Sequence, residues 1–143
     1  MKTFLLCLIS CLFSVAVFSQ SFQGTWDGSF TYYMGSTRLP SPGSDVPLIL
    51  KFEFNTDSSY KITSITNRGY DEVACSVFCR KQSGDSIVLQ EMRVIKGTQE
   101  AGGLMIMTLK IIARKKSTYL EGTWAYSSSP GIPRGEISVY KKK

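Results

Sequence analysis

Apolar and polar residues alternate along most of this chain with a period of two. Phe22, Gly24, Trp26, Gly28, Phe30 and Tyr32 alternate with Gln23, Thr25, Asp27, Ser29 and Thr31, the pattern of a half-buried strand with its even residues inward. Leu48, Leu50, Phe52 and Phe54 repeat it against Lys51, Glu53 and Asn55, and Asp57-Ser58-Ser59 supplies a turn. Further strands are expected over Tyr60 to Asn67, Val73 to Lys81, Ser86 to Lys96, Gly103 to Lys115, Tyr119 to Tyr126 and Arg134 to Lys142. No segment carries the three-to-four-residue apolar period of an amphipathic helix. The chain therefore reads as all-β. Eight sequential strands with short links predict an antiparallel up-and-down barrel, which leaves no open edge, with a two-sheet β-sandwich as the alternative.

In such a meander the odd strands run one way and the even strands the other. The triplet Gly24-Thr25-Trp26 returns as Gly122-Thr123-Trp124. Counted from Phe22 and Leu120, both tryptophans are expected at the end where odd strands begin, flanking Ile137 and Val139 as a structural floor. Strand five is ambiguous. Val88, Gln90, Met92 and Val94 form its less charged face and are expected inward; in the other register Glu91 and Arg93 share the interior as a charge pair able to orient a polar ligand group.

The segment Phe22-Gln23-Gly24-Thr25-Trp26 resembles the G-x-W signature on the first strand of lipocalin-like (calycin) barrels, small exported proteins that hold apolar ligands in a calyx. The resemblance implies a basic side chain from the last strand lying over that tryptophan, a role that Lys141 matches. Avidin-like barrels, which also open with G-T-W and lack the helix that follows the lipocalin barrel, are similar in length. Biotin is not implied, because that family leans on further tryptophans and this chain has two in all.

The leader sets the expected setting. Lys2, an apolar run from Phe4 to Phe18 and polar Ser19-Gln20-Ser21 have the layout of a secretory signal peptide cleaved after Ser19. Residues 1–19 are thus read as leader and 20–143 as one exported domain, periplasmic or extracellular. An uncleaved anchor and a lipidated Cys11 in Leu8-Ile9-Ser10-Cys11 are the alternatives. Cys75 and Cys79 then remain, and four strand steps of ~3.3 Å would hold them about 13 Å apart, too far for a disulfide.

With no histidine in the chain, Ser-His-Asp and Cys-His nucleophiles and histidine metal ligands are excluded. No enzyme activity, cofactor or metal is expected. One functional expectation is a small apolar or amphipathic ligand at the end where odd strands finish, where Tyr32, Tyr33, Tyr70 and Tyr126 emerge beside the longer loops. Equally, those tyrosines can plug the upper core. The other is an envelope interaction or structural module docking to a protein, a glycan or an anionic membrane. The net charge is +6, and Arg80-Lys81, Arg114-Lys115-Lys116 and Lys141-Lys142-Lys143 all stand where even strands end, which predicts a basic pole beside Asp57 and Asp85. Nucleic acid is not expected, because no aromatic residue is seen interleaved with those lysines. An outer-membrane barrel is disfavoured too: polar residues alternate outward where lipid requires apolar ones.

Overall fold

The computed structural model describes residues 22–35, 37–39, 41, 43–55, 60–68, 71–98 and 103–143. The expected leader, Tyr70 and Asp57 lie outside these residues. Eight strands follow in order: β1 (Gly24–Phe30), β2 (Val46–Phe54), β3 (Tyr60–Arg68), β4 (Asp71–Ser83), β5 (Ser86–Lys96), β6 (Met105–Arg114), β7 (Ser117–Tyr126) and β8 (Gly135–Lys141). Each pairs antiparallel with the next, and β8 returns to β1 to close a barrel. Two hairpins are tighter than the sequence suggested. Gly84-Asp85 alone links Ser83 to Ser86, with Gly84 at φ 59°, and Lys115-Lys116 alone links Arg114 to Ser117.

The interior is made by the inward face of every strand. Trp26, Phe30, Leu48, Leu50, Leu89, Met107, Leu120 and Val139 have no accessible surface, and Phe22 joins them from before β1. Atoms with no accessible area have no water-sized void beside them, so this cluster is a packed core. Burying each large apolar side chain contributes about 1.5–3 kcal/mol.

The strands approach one another closely around β8. A Cβ on Gly135 would fall on the Thr31 carbonyl oxygen and lie 2.6 Å from Trp124 Nε1. Only glycine leaves room there for Trp124 Nε1 to donate to Thr31 O at 2.9 Å.

Trp26 and Trp124 stand at opposite ends of the barrel, which corrects the expected two-tryptophan floor. Trp26 pairs with Lys141 and Trp124 with Gly135, separated by six positions of β8, about 20 Å at ~3.3 Å per residue. Because the β6–β7 turn is so short, β7 begins at Ser117, and Trp124 comes late in its strand while Trp26 comes early in β1. Trp26 is the lower tryptophan and Trp124 the upper.

Strand β5 follows neither expected register throughout. Ile87, Leu89 and Glu91 are buried at 3, 0 and 0 % exposure, so the lower part takes the register with Glu91 inside. Between the pairs Val77 with Glu91 and Ser76 with Arg93, β5 runs one residue longer than β4; Met92 is that residue, and Ile95 repeats the irregularity above it. Both extra side chains are more than half exposed. A bulge of this kind reverses the phase of alternation. Arg93 is consequently exposed opposite Ser76, while Val94, opposite Cys75, is half-buried. The expected inward set Val88, Gln90, Met92 and Val94 is therefore corrected, and so is the interior pair: Glu91 is buried without Arg93.

Candidate functional site

At the upper end, Trp124 gathers three aromatic neighbours. Phe30, Tyr32 and Tyr126 lie edge-on to it, with ring centroids at 5.3, 5.1 and 5.2 Å. Tyr32 and Tyr126 thus come together as expected, but their rings pack onto a tryptophan that is 1 % exposed. Tyr33 stands apart from them, on the outer face beside Glu136; burial first, and that carboxylate second, raise its phenol pKa. The Arg134 guanidinium lies 5.7 Å from the Tyr126 ring.

Glu91 belongs to the same upper level, because Met105, its hydrogen-bond partner, pairs with Tyr126. Its Oε1 accepts from Ser64 Oγ at 2.6 Å and its Oε2 from the Met105 N–H at 2.9 Å. The β5–β6 ladder stops at Gln90 and Ile106, one residue short of this point. The buried carboxylate therefore serves the next backbone donor in place of a strand, a structural task. Nearby on β3, Thr66 is 2 % exposed and its hydroxyl has no hydrogen-bond partner among the described residues. Cys75 is buried and Cys79 half-buried; no disulfide joins them, and burial pushes the Cys79 pKa up. Among the described residues, no group of three or more Cys, Asp or Glu side chains is placed to hold a metal ion.

The lower end carries the charge. A concavity of about 630 Å³ is lined by Arg114 and Lys116 from the β6–β7 hairpin, by Ser117 and Thr118 at the start of β7, and by Tyr140 to Lys143 at the end of β8. Strand order explains this: β6 descends into the turn that begins β7, and β7 pairs with β8 as it descends to the same rim. Lys115 shares the exposed turn with Lys116. Arg80 and Lys81 are exposed on the β4–β5 hairpin and do not line the concavity.

Several of these cations are held in place. Lys141 Nζ lies 5.5 Å from the Trp26 ring centroid, the contact expected of the last strand, and burial lowers its pKa. The indole is oriented from behind, donating through Nε1 to Phe22 O at 2.8 Å. Arg114 forks onto Glu121 at 2.8 and 2.9 Å and lies 4.4 Å from the Tyr119 centroid. Lys142 reaches Asp27 at 3.4 Å. Lys116 and Lys143 form no ion pair among the described residues.

Two features escaped the sequence reading. Tyr119 and Tyr140 face each other across β7 and β8, 6.4 Å apart, so aromatic rings do accompany the lysines, contrary to expectation. The signal was present in Tyr140, next to Lys141, and in Tyr119 on the outward phase of β7. The second is a groove of about 550 Å³ on the outer wall, walled by Ser29 of β1 and Thr31 just after it, Glu121 and Thr123 of β7, and Glu136 and Ser138 of β8. It collects outward polar positions of the consecutive strands β7 and β8 and of the β1 segment, which only barrel closure brings beside β8.

Comparison with protein-family models, with curated proteins and with solved structures finds no significant match for this chain.

Proposed function

We propose that this chain is an exported, non-enzymatic interaction module that docks on a polyanion through its lower pole. The observation that carries the reading is the concavity lined by Arg114, Lys116, Lys141, Lys142 and Lys143. Like charges gathered on one surface raise the local potential and attract anionic partners, each near-surface lysine contributing about 1 kcal/mol at low ionic strength. The packed interior also favours a site on the outside of the barrel over one within it. Gly24-Thr25-Trp26 with Lys141 above the indole supports kinship with lipocalin-like barrels, without a calyx being required.

A second reading keeps an apolar or amphipathic ligand at the upper end, and the gathering of Tyr32 and Tyr126 around Trp124 favours it. That ligand would have to displace rings already packed on one another.

The pole reading is tested by measuring association of the purified full chain with dextran sulfate and with phosphatidylglycerol-containing vesicles at rising salt. Binding to at least one of them that weakens with salt is expected. Indifference to both at low ionic strength would end the reading.

A further inference from the structure

The geometry points to an anionic saccharide as the polyanion held at the lower rim, its ring against Tyr140 and its sulfate or carboxylate groups on Lys116 and Lys143. This rests on the pole reading above and narrows it. A lipid headgroup surface is broad and flat, and protruding lysines alone suffice to meet it. Here the cations surround a recess of about 630 Å³, within the size range of small-ligand sites. One wall of that recess is Tyr140, which is 42 % exposed and tilted against Tyr119. A tyrosine offers an apolar face with a polar tip, and the C–H face of a pyranose ring is its natural complement.

The polar groups around the recess match the rest of a sugar. Saccharide hydroxyls need acceptors as well as donors, whereas a phosphate surface needs donors alone. Ser117 and Thr118 line the recess, and at its edge Glu121 and Asp27 hold Arg114 and Lys142 in fixed positions. Lys116 and Lys143, without such partners among the described residues, remain to receive anionic groups.

Nucleic acid meets this surface less well. Non-specific strands are bound along a continuous basic track with successive stacking platforms. At this rim the carboxylates of Asp27 and Glu121 interrupt the positive surface, and the two tyrosine rings are inclined at 58°.

The test is calorimetric titration of the purified full chain with four probes: a sulfated uronate-containing hexasaccharide, inorganic sulfate, a single-stranded oligonucleotide of similar charge, and phosphatidylglycerol-containing vesicles. The hexasaccharide is expected to bind most tightly. Tyr140→Ala should weaken it about two- to tenfold, Tyr140→Phe should keep it, and inorganic sulfate should be indifferent to both changes. Lys116→Gln with Lys143→Gln should weaken every anion. Circular dichroism on each variant confirms that the barrel is intact. Vesicle or oligonucleotide binding that exceeds saccharide binding, or saccharide binding untouched by Tyr140→Ala, overturns the saccharide assignment while leaving the pole reading standing. Failure of all four probes overturns both.

Discussion

Glu91 completes the β5–β6 edge with its side chain, its Oε2 accepting the Met105 N–H at 2.9 Å just where backbone pairing between the two strands has stopped. A carboxylate with no solvent exposure is tolerated because both oxygens receive donors. Glu91→Ala strands Ser64 Oγ and the Met105 N–H and leaves a void, and should lower unfolding free energy by about 2–4 kcal/mol. Glu91→Gln keeps an acceptor and a near-identical volume and should cost roughly half as much. Urea unfolding of the two variants checks the order; equal losses would contradict the hydrogen-bonding account.

Gly135 should tolerate no side chain. Its would-be Cβ meets the Thr31 carbonyl, which is backbone and cannot rotate away, and crowds the Trp124 indole N–H. Gly135→Ala is expected to destabilise by about 2 kcal/mol or more, since overpacking forces the strands apart. The emission of Trp124 should shift to the red as its bond to Thr31 loosens, and emission unchanged from the parent would count against the close approach.

Cys79 gives a pH signature. Burial raises its thiol pKa above the ordinary 9.0. A group whose folded pKa is raised contributes stability that is fully present below the unfolded value and is lost as pH climbs through the folded one. Stability should therefore fall above about pH 9 by an increment that Cys79→Ser removes. Alkylation of the folded protein at neutral pH should be slow, because the thiolate is the reactive form. Thermal unfolding followed across the alkaline range in both proteins measures the increment.

Where one strand face was clearly polar, the pattern of residues alone was enough to place the strand. In β1 and β2 the polar partners Asp27, Lys51 and Glu53 leave one inward choice, and the structure takes it as far as Phe52, whereas Phe54 at the end of β2 is 41 % exposed. Strand β5 was illegible because Ile87, Leu89 and Ile95 on one phase rival Val88, Met92 and Val94 on the other, and because bulges at Met92 and Ile95 depend on β4. Trp124 was misplaced by aligning two similar triplets, when what sets height in a barrel is distance from the turn. The basic rim was legible in part, since Arg114, Lys116 and Lys141 to Lys143 do line one concavity. Tyr119 and Tyr140 were not, because their proximity is created by the pairing of β7 with β8.

The ionic-strength dependence of polyanion binding tests docking through the lower pole most directly. Binding of the full chain to a sulfated polysaccharide is measured across a salt series and repeated with Lys115, Lys116, Lys142 and Lys143 all changed to Gln. Docking through the pole predicts affinity that falls steeply with salt, and a loss of about tenfold or more at low ionic strength in the substituted protein with its fold intact. Affinity that ignores both the salt and the four substitutions would contradict it.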